Sequence, residues 1–249
     1  MGMDENELSH TAKFIKNNVQ ESTIRYYDKQ SVIRSLIQIF PFGGVLDTYL
    51  TSTFNNILIE RSKTFFDELN TGKCILTPEL IENEDFLHAF FSTFKNAIHT
   101  RQKAKIRFFA RLLNNLPEVK NINEFEDYLK ILDELTYREI YILYTLHEFE
   151  SEVCSDILGN NRTYIKLINS NKYWNDYVNK LILDLNINSD EIPGLIHRIS
   201  RTGCYMEFTG WANSDNDGSG HTTEVFDKLI NLIKMNSKDF CDIDNIEII

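Results

Sequence analysis

The sequence predicts a mainly α protein: a helical bundle followed by a winged-helix-like subdomain with one β-hairpin. Two observations carry this. Long stretches place apolar residues at helical spacing, and only 4 Pro and 10 Gly interrupt 249 residues. Near the end, Ser189 to Ile233 runs as helix, glycine stop, aromatic strand, ten-residue polar turn, return strand and amphipathic helix. A hydrophobic fraction of 42% is enough for a core without disulfide staples.

The elements follow in order. Residues 10–39 carry Phe14, Ile15, Val19, Ile24, Val32, Ile33 and Leu36 at helical spacing, as one broken helix or two. Pro41-Phe42-Gly43-Gly44 ends this stretch and makes Gly43 and Gly44 a candidate hinge. A long helix follows to Asn70, with Leu46, Tyr49, Phe54, Leu58, Phe65 and Leu69 along one side and Thr71-Gly72 as its closing turn. Thr77-Pro78 restarts a helix, and residues 79–115 read as helical with a break near His99-Thr100. From 98 to 113, Ile98, Ile106, Phe109, Leu112 and Leu113 share a face, while Lys103, Arg107 and Arg111 line another at i, i+4 and i+8.

The chain divides at about 117–121, which gives a bundle over 1–118, a winged-helix-like part over 119–238 and a tail over 239–249. Thr136 and Glu139 form a capping-box pair that opens a helix to Phe149. Residues 155–172 are Asn-rich and poorly periodic, and helical character returns over 173–187. Ser189 or Asp190 caps a third helix with apolar Ile192, Leu195, Ile196 and Ile199, and Gly203 supplies the left-handed residue that stops it. Tyr205, Phe208 and Trp211 suit a half-buried strand.

Charge narrows the function. The formal net charge is −11, which repels polyanions unless basic residues are segregated. No acid lies between Asp85 and Glu118, a stretch that holds Lys95, Arg101, Lys103, Lys105, Arg107 and Arg111. The next stretch, to Asp156, is acid-rich, and mutual neutralisation of the two is the plainest expectation. Two cation sets remain as a nucleic-acid surface: the Lys103/Arg107/Arg111 stripe, and Arg198 with Arg201 on the third helix of the winged module. Asp215 and Asp217 sit at the tip of the turn, where a DNA-reading wing needs Lys or Arg. A protein-docking role fits better.

Catalytic signals are thin. No GxSxG, HExxH, Walker loop or dinucleotide fingerprint occurs, and no His or Cys lies at metal-ligand spacing from another. The Glu118-Val119-Lys120 fragment follows a helix, not a strand, and Asp242 and Asp244 read as a solvated tail. No catalytic residue, metal or cofactor is expected. Four separated cysteines read as reduced thiols, and MGMDENELSH is no signal peptide, so the expected location is cytoplasmic. Leu36 to Ile59 has Asp47 as its one charge, which leaves a triggered membrane-active role as a further alternative.

Four patterns in order, PFGGVLDTYL, RQKAKIRFFARLLNN, ILDELTYREIYIL, and IHRISRTGCY leading to TTEVFDKLI, resemble the abortive-infection alpha (Abi-alpha) family over roughly residues 40–235. The resemblance implies a bacterial or mobile-element protein linked to phage defence, and it carries no catalytic residues with it. The expectation is a non-enzymatic protein acting through protein–protein contacts, with a protein partner or a homo-oligomer. The alternatives are a nucleic-acid-binding regulator and a triggered membrane-active effector.

Overall fold

A computed structural model of the chain describes residues 48–72, 83–154, 162–208 and 219–241. The protein is mainly helical, with one small antiparallel sheet. The helices are α1 (Thr48–Leu69), α2 (Glu84–His99), α3 (Lys103–Asn114), α4 (Ile122–Glu134), α5 (Tyr137–Cys154), α6 (Arg162–Leu185), α7 (Ile192–Ser200) and α8 (Glu224–Ile233). Strands β1 (Tyr205–Glu207) and β2 (Gly220–Thr222) form the hairpin between α7 and α8. Two compact units divide the chain, Met1–Leu129 and Lys130–Ile249. The division falls within α4, past the 117–121 stretch, where Leu116–Glu118 makes a single 3-10 turn.

In the first unit, α1, α2 and α3 pack on one another. Their core is aromatic because Phe86, Phe90 and Phe94 recur every fourth residue of α2 and so stack on one face. Phe65 and Phe66 of α1 meet Phe94 at ring-centroid distances of 5.3 Å each. Such pairs add about 0.5–1.5 kcal/mol each beyond the area they bury. The expected break is real: the Thr100 N–H closes α2 on Ala97 O, and α3 begins at Lys103. Ile98, Ile106, Phe109, Leu112 and Leu113 are all buried, as the wheel predicts. Helix ends leave carbonyls without intrahelical partners, and neighbours supply donors here. Arg61 Nη1 donates to Ile98 O at 2.9 Å, and Asn114 Nδ2 donates to Leu69 O at 3.1 Å.

The second unit has the helix–helix–helix–hairpin–helix order of the winged-helix-like subdomain. Thr136 and Glu139 cap α5 reciprocally, with Thr136 N donating to Glu139 Oε2 at 2.8 Å and Glu139 N to Thr136 Oγ1 at 3.2 Å. Helix α6 begins at Arg162, well before the expected 173. Its early core-facing positions are Ile165, Lys166 and Ser170, and a buried Lys and Ser erase the apolar period. The start of α7 also differs. Asn188 and Glu191 form a capping box over a 3-10 turn, Ser189–Glu191, so neither Ser189 nor Asp190 is the cap. Ile192, Ile196 and Ile199 are buried as expected.

Gly203 sits at φ 75 and turns the chain out of α7, a conformation that costs little without a Cβ. Gly220 faces Met206 O and the Tyr205 ring so closely that a Cβ has no room. The register pairs Tyr205 with Thr222, Met206 with His221 and Glu207 with Gly220. Trp211, Asp215 and Asp217 lie outside the described residues. Helix α8 ends at Lys234, in the left-handed region at φ 47. A capped 3-10 turn, Ser237–Phe240, runs into the stretch expected as a tail from 239, with Phe240 buried.

Candidate functional site

The stripe Lys103, Arg107 and Arg111 lies on α3 as predicted, and acids of α1 meet all three. Lys103 Nζ is 2.7 Å from Glu60 Oε1, and Arg111 Nε donates to Glu68 Oε1 at 2.6 Å. Arg107 Nε is 4.0 Å from the other oxygen of Glu68. Lys103 and its hydrogen bond hold the Glu60 carboxyl below the usual carboxylate range. The partners are therefore α1 acids, and not chiefly the acid-rich segment after Glu118. One pair does follow the expected pattern, His88 Nδ1 with Glu126 Oε1 at 3.3 Å. The Arg111 guanidinium also lies over Phe108 and the Lys105 ammonium over Phe109, at 5.7 and 5.6 Å. Of the stripe, Arg111 is mostly out of solvent and packs its stem in this way, while Lys103 and Arg107 stay largely exposed.

The second cation set belongs to the other unit. Arg198 Nε donates to Glu139 Oε1, so one acid serves both the α5 cap and the α7 arginine. Arg201 follows α7 directly and is exposed. The unit Lys130–Ile249 carries 11 Lys and Arg against 20 Asp and Glu, a net of −9. Most of the chain's negative charge is thus in the part whose outline suggests a DNA reader. The hinge Gly43 and Gly44 lies outside the described residues.

At the foot of the hairpin the structure brings together groups no motif announces. Lys166 Nζ of α6 sits 2.8 Å from Glu150 Oε2 of α5, and both are buried. Thr222 of β2 joins them: its N–H donates to Glu150 Oε1 at 2.9 Å and its hydroxyl to Glu150 Oε2. Lys166 also donates to Thr222 O at 3.0 Å. Next to it, His221 Nδ1 donates to the same carbonyl at 2.8 Å, with its ring against Phe208. Two charges taken out of water demand this degree of saturation. Burial raises the Tyr177 phenol well above its usual range, helped by the charge of Glu150, and burial raises Tyr205 likewise. Both phenols remain protonated. The cluster locks α5, α6 and β2 together.

Farther along α5, Tyr141 donates to Asp184 Oδ2, which Lys180 Nζ also meets at 2.7 Å. Burial works to raise the Asp184 carboxyl, but bonds from Lys180 and Tyr141 outweigh it and hold the group below its usual value. Phe240 inserts among Tyr137, Tyr141 and Tyr144 at 5.6, 5.2 and 5.0 Å, and Tyr137 Oη donates to Asp239 O at 2.7 Å.

A further surface feature escaped the sequence reading because α6 was cut short. Tyr164, Ile168 and Leu183 are 61%, 55% and 79% exposed on that helix, and Met206 of β1 is also exposed. Among the described residues no three His, Cys, Asp or Glu side chains group to hold a metal ion, and no helix is long and apolar enough to cross a membrane. No protein-family model, no curated protein and no solved structure matches the chain.

Proposed function

We propose that this chain is a non-enzymatic, cytoplasmic bacterial protein that works through protein–protein contacts, and that those contacts serve phage defence. The observation that carries the contact reading is the set of apolar side chains, Tyr164, Ile168 and Leu183, left in solvent on one helix of an acidic unit. The cations a nucleic-acid reader needs are occupied: Lys103, Arg107, Arg111 and Arg198 each have an acidic partner in their own unit. A phosphate would compete for them with Glu60, Glu68 or Glu139. The link to defence rests on the resemblance in the order of the helical and hairpin segments.

The test is a phage challenge of a host of suitable lineage expressing the chain, beside Ile168→Glu and Leu183→Glu. Protection by the wild type that these folded variants lose is the expected result. Absence of protection across a phage panel counts against the defence role. A salt-dependent DNA shift at low ionic strength that Arg201→Ala abolishes would overturn the contact reading in favour of a nucleic-acid regulator.

A further inference from the structure

Helix α6 presents an exposed face on which apolar and amide side chains surround a single lysine. Tyr164, Ile168, Asn175, Asn179 and Leu183 are exposed and fall within about a third of the helix circumference at 3.6 residues per turn. The stripe runs about 28 Å at 1.5 Å per residue. Lys172 falls within the same arc and Asp176 just past its edge, both exposed and one turn apart. Lys172 donates to Asn169 Oδ1 at 2.8 Å, a surface bond it can exchange for another.

We infer that this face pairs with the same face of a second copy, as an antiparallel helix pair about a two-fold axis near residue 174. Charge selects the occupant. Each chain carries −11, so two copies repel at most faces, whereas this face brings one Lys and one Asp to the contact and is itself neutral. An antiparallel two-fold maps one flank of the helix onto the same flank of the other with the order reversed. Lys172 of each copy then stands opposite Asp176 of the other, so the pair forms twice. The same operation brings Tyr164 beside Leu183 at each end, where apolar area is buried. It also brings the two Asn175 amides close to the axis, where each can donate to and accept from the other. A parallel two-fold carries the Asp176 edge of one copy to the opposite side of the partner helix, so neither Lys172–Asp176 pair forms.

This inference rests on the protein-contact reading and names the partner for that surface. It is tested with the full-length chain by light scattering on a sizing column and by sedimentation equilibrium. The wild type is expected at twice 29.2 kDa. Lys172→Asp and Asp176→Lys are each expected to be monomeric, because each places like charges across the axis twice. Mixed in equal amounts, the two variants should restore the dimer, since every Asp then faces a Lys. That rescue separates a broken contact from a broken fold. A wild type that stays monomeric at every concentration tried overturns the inference, and so does a Lys172→Asp variant that dimerises as the wild type does. A monomeric wild type whose Ile168→Glu variant still loses phage protection would overturn the pairing alone and leave the contact reading standing, with another protein on this face.

Discussion

Glu150 and Lys166 form a buried ion pair at 2.8 Å, and Thr222 closes it from the hairpin. Their carbon stems and charges occupy what would otherwise be apolar core between α5, α6 and β2. Removing one member strands the other. Lys166→Met should therefore cost about 3–5 kcal/mol. Glu150→Leu should cost at least as much, because it also orphans the Thr222 N–H. The double variant should lose clearly less than the sum of the two. Urea denaturation of the four proteins checks this, and full additivity would mean the pair contributes no coupling.

Phe240 is the anchor of the final turn. Its ring touches three tyrosines of α5, and Tyr137 Oη donates to Asp239 O beside it. Phe240→Ala should destabilise by about 3–5 kcal/mol if the cavity stays open, and less if the turn simply detaches. Near-ultraviolet circular dichroism of the tyrosines distinguishes these, since detachment removes the ring environment of Tyr137, Tyr141 and Tyr144 together.

The cations on α3 should differ in weight. Arg111 and Glu68 are mostly out of solvent and Lys103 and Glu60 are largely in it. Arg111→Ala should cost about 1–3 kcal/mol through its charged hydrogen bond and its packing on Phe108. Lys103→Ala should cost clearly less, because its pair with Glu60 is exposed and screened by solvent. Thermal melts in low and high salt read both. Equal losses would mean that burial does not decide the value of these pairs.

Cys204 and Cys241 should part company toward thiol reagents. Burial pushes the Cys204 thiol up to about 11, despite a bond from Thr202 that works the other way, and Cys241 is exposed. At neutral pH the folded protein should alkylate at Cys241 and spare Cys204, with site-resolved mass spectrometry as the readout. Modification of Cys204 at the rate of Cys241 would indicate that α7 and the hairpin open together.

Asp184 sets a pH limit. Its carboxyl lies below its unfolded value, so the folded state binds fewer protons and gains stability above the ordinary carboxylate pKa. That contribution should vanish as the pH falls from about 4 through the lower folded value. Asp184→Asn should flatten this part of the stability curve. An unchanged acid limb in that variant would show that other carboxylates set it.

Periodicity alone placed most of the helices, because a helix that packs on one side must repeat its apolar residues every three to four positions. The buried row Ile98, Ile106, Phe109, Leu112 and Leu113 was legible for that reason, and so was Gly203, whose φ of 75 only glycine adopts freely. The first half of α6 was not, because its core-facing Lys166 and Ser170 look like surface residues until Glu150 and Thr222 are seen around them. The charges tell the same story. The basic stripe is plain on a helical wheel, but its neutralisation is not, since Glu68 lies 43 positions from Arg111. The sequence by itself determined the fold class, the order of elements and the left-handed stop, all set by interactions within a few residues. Only the tertiary structure decided which charges are used up and which apolar side chains are left in water. Those depend on what distant segments bring together, and no local pattern encodes that.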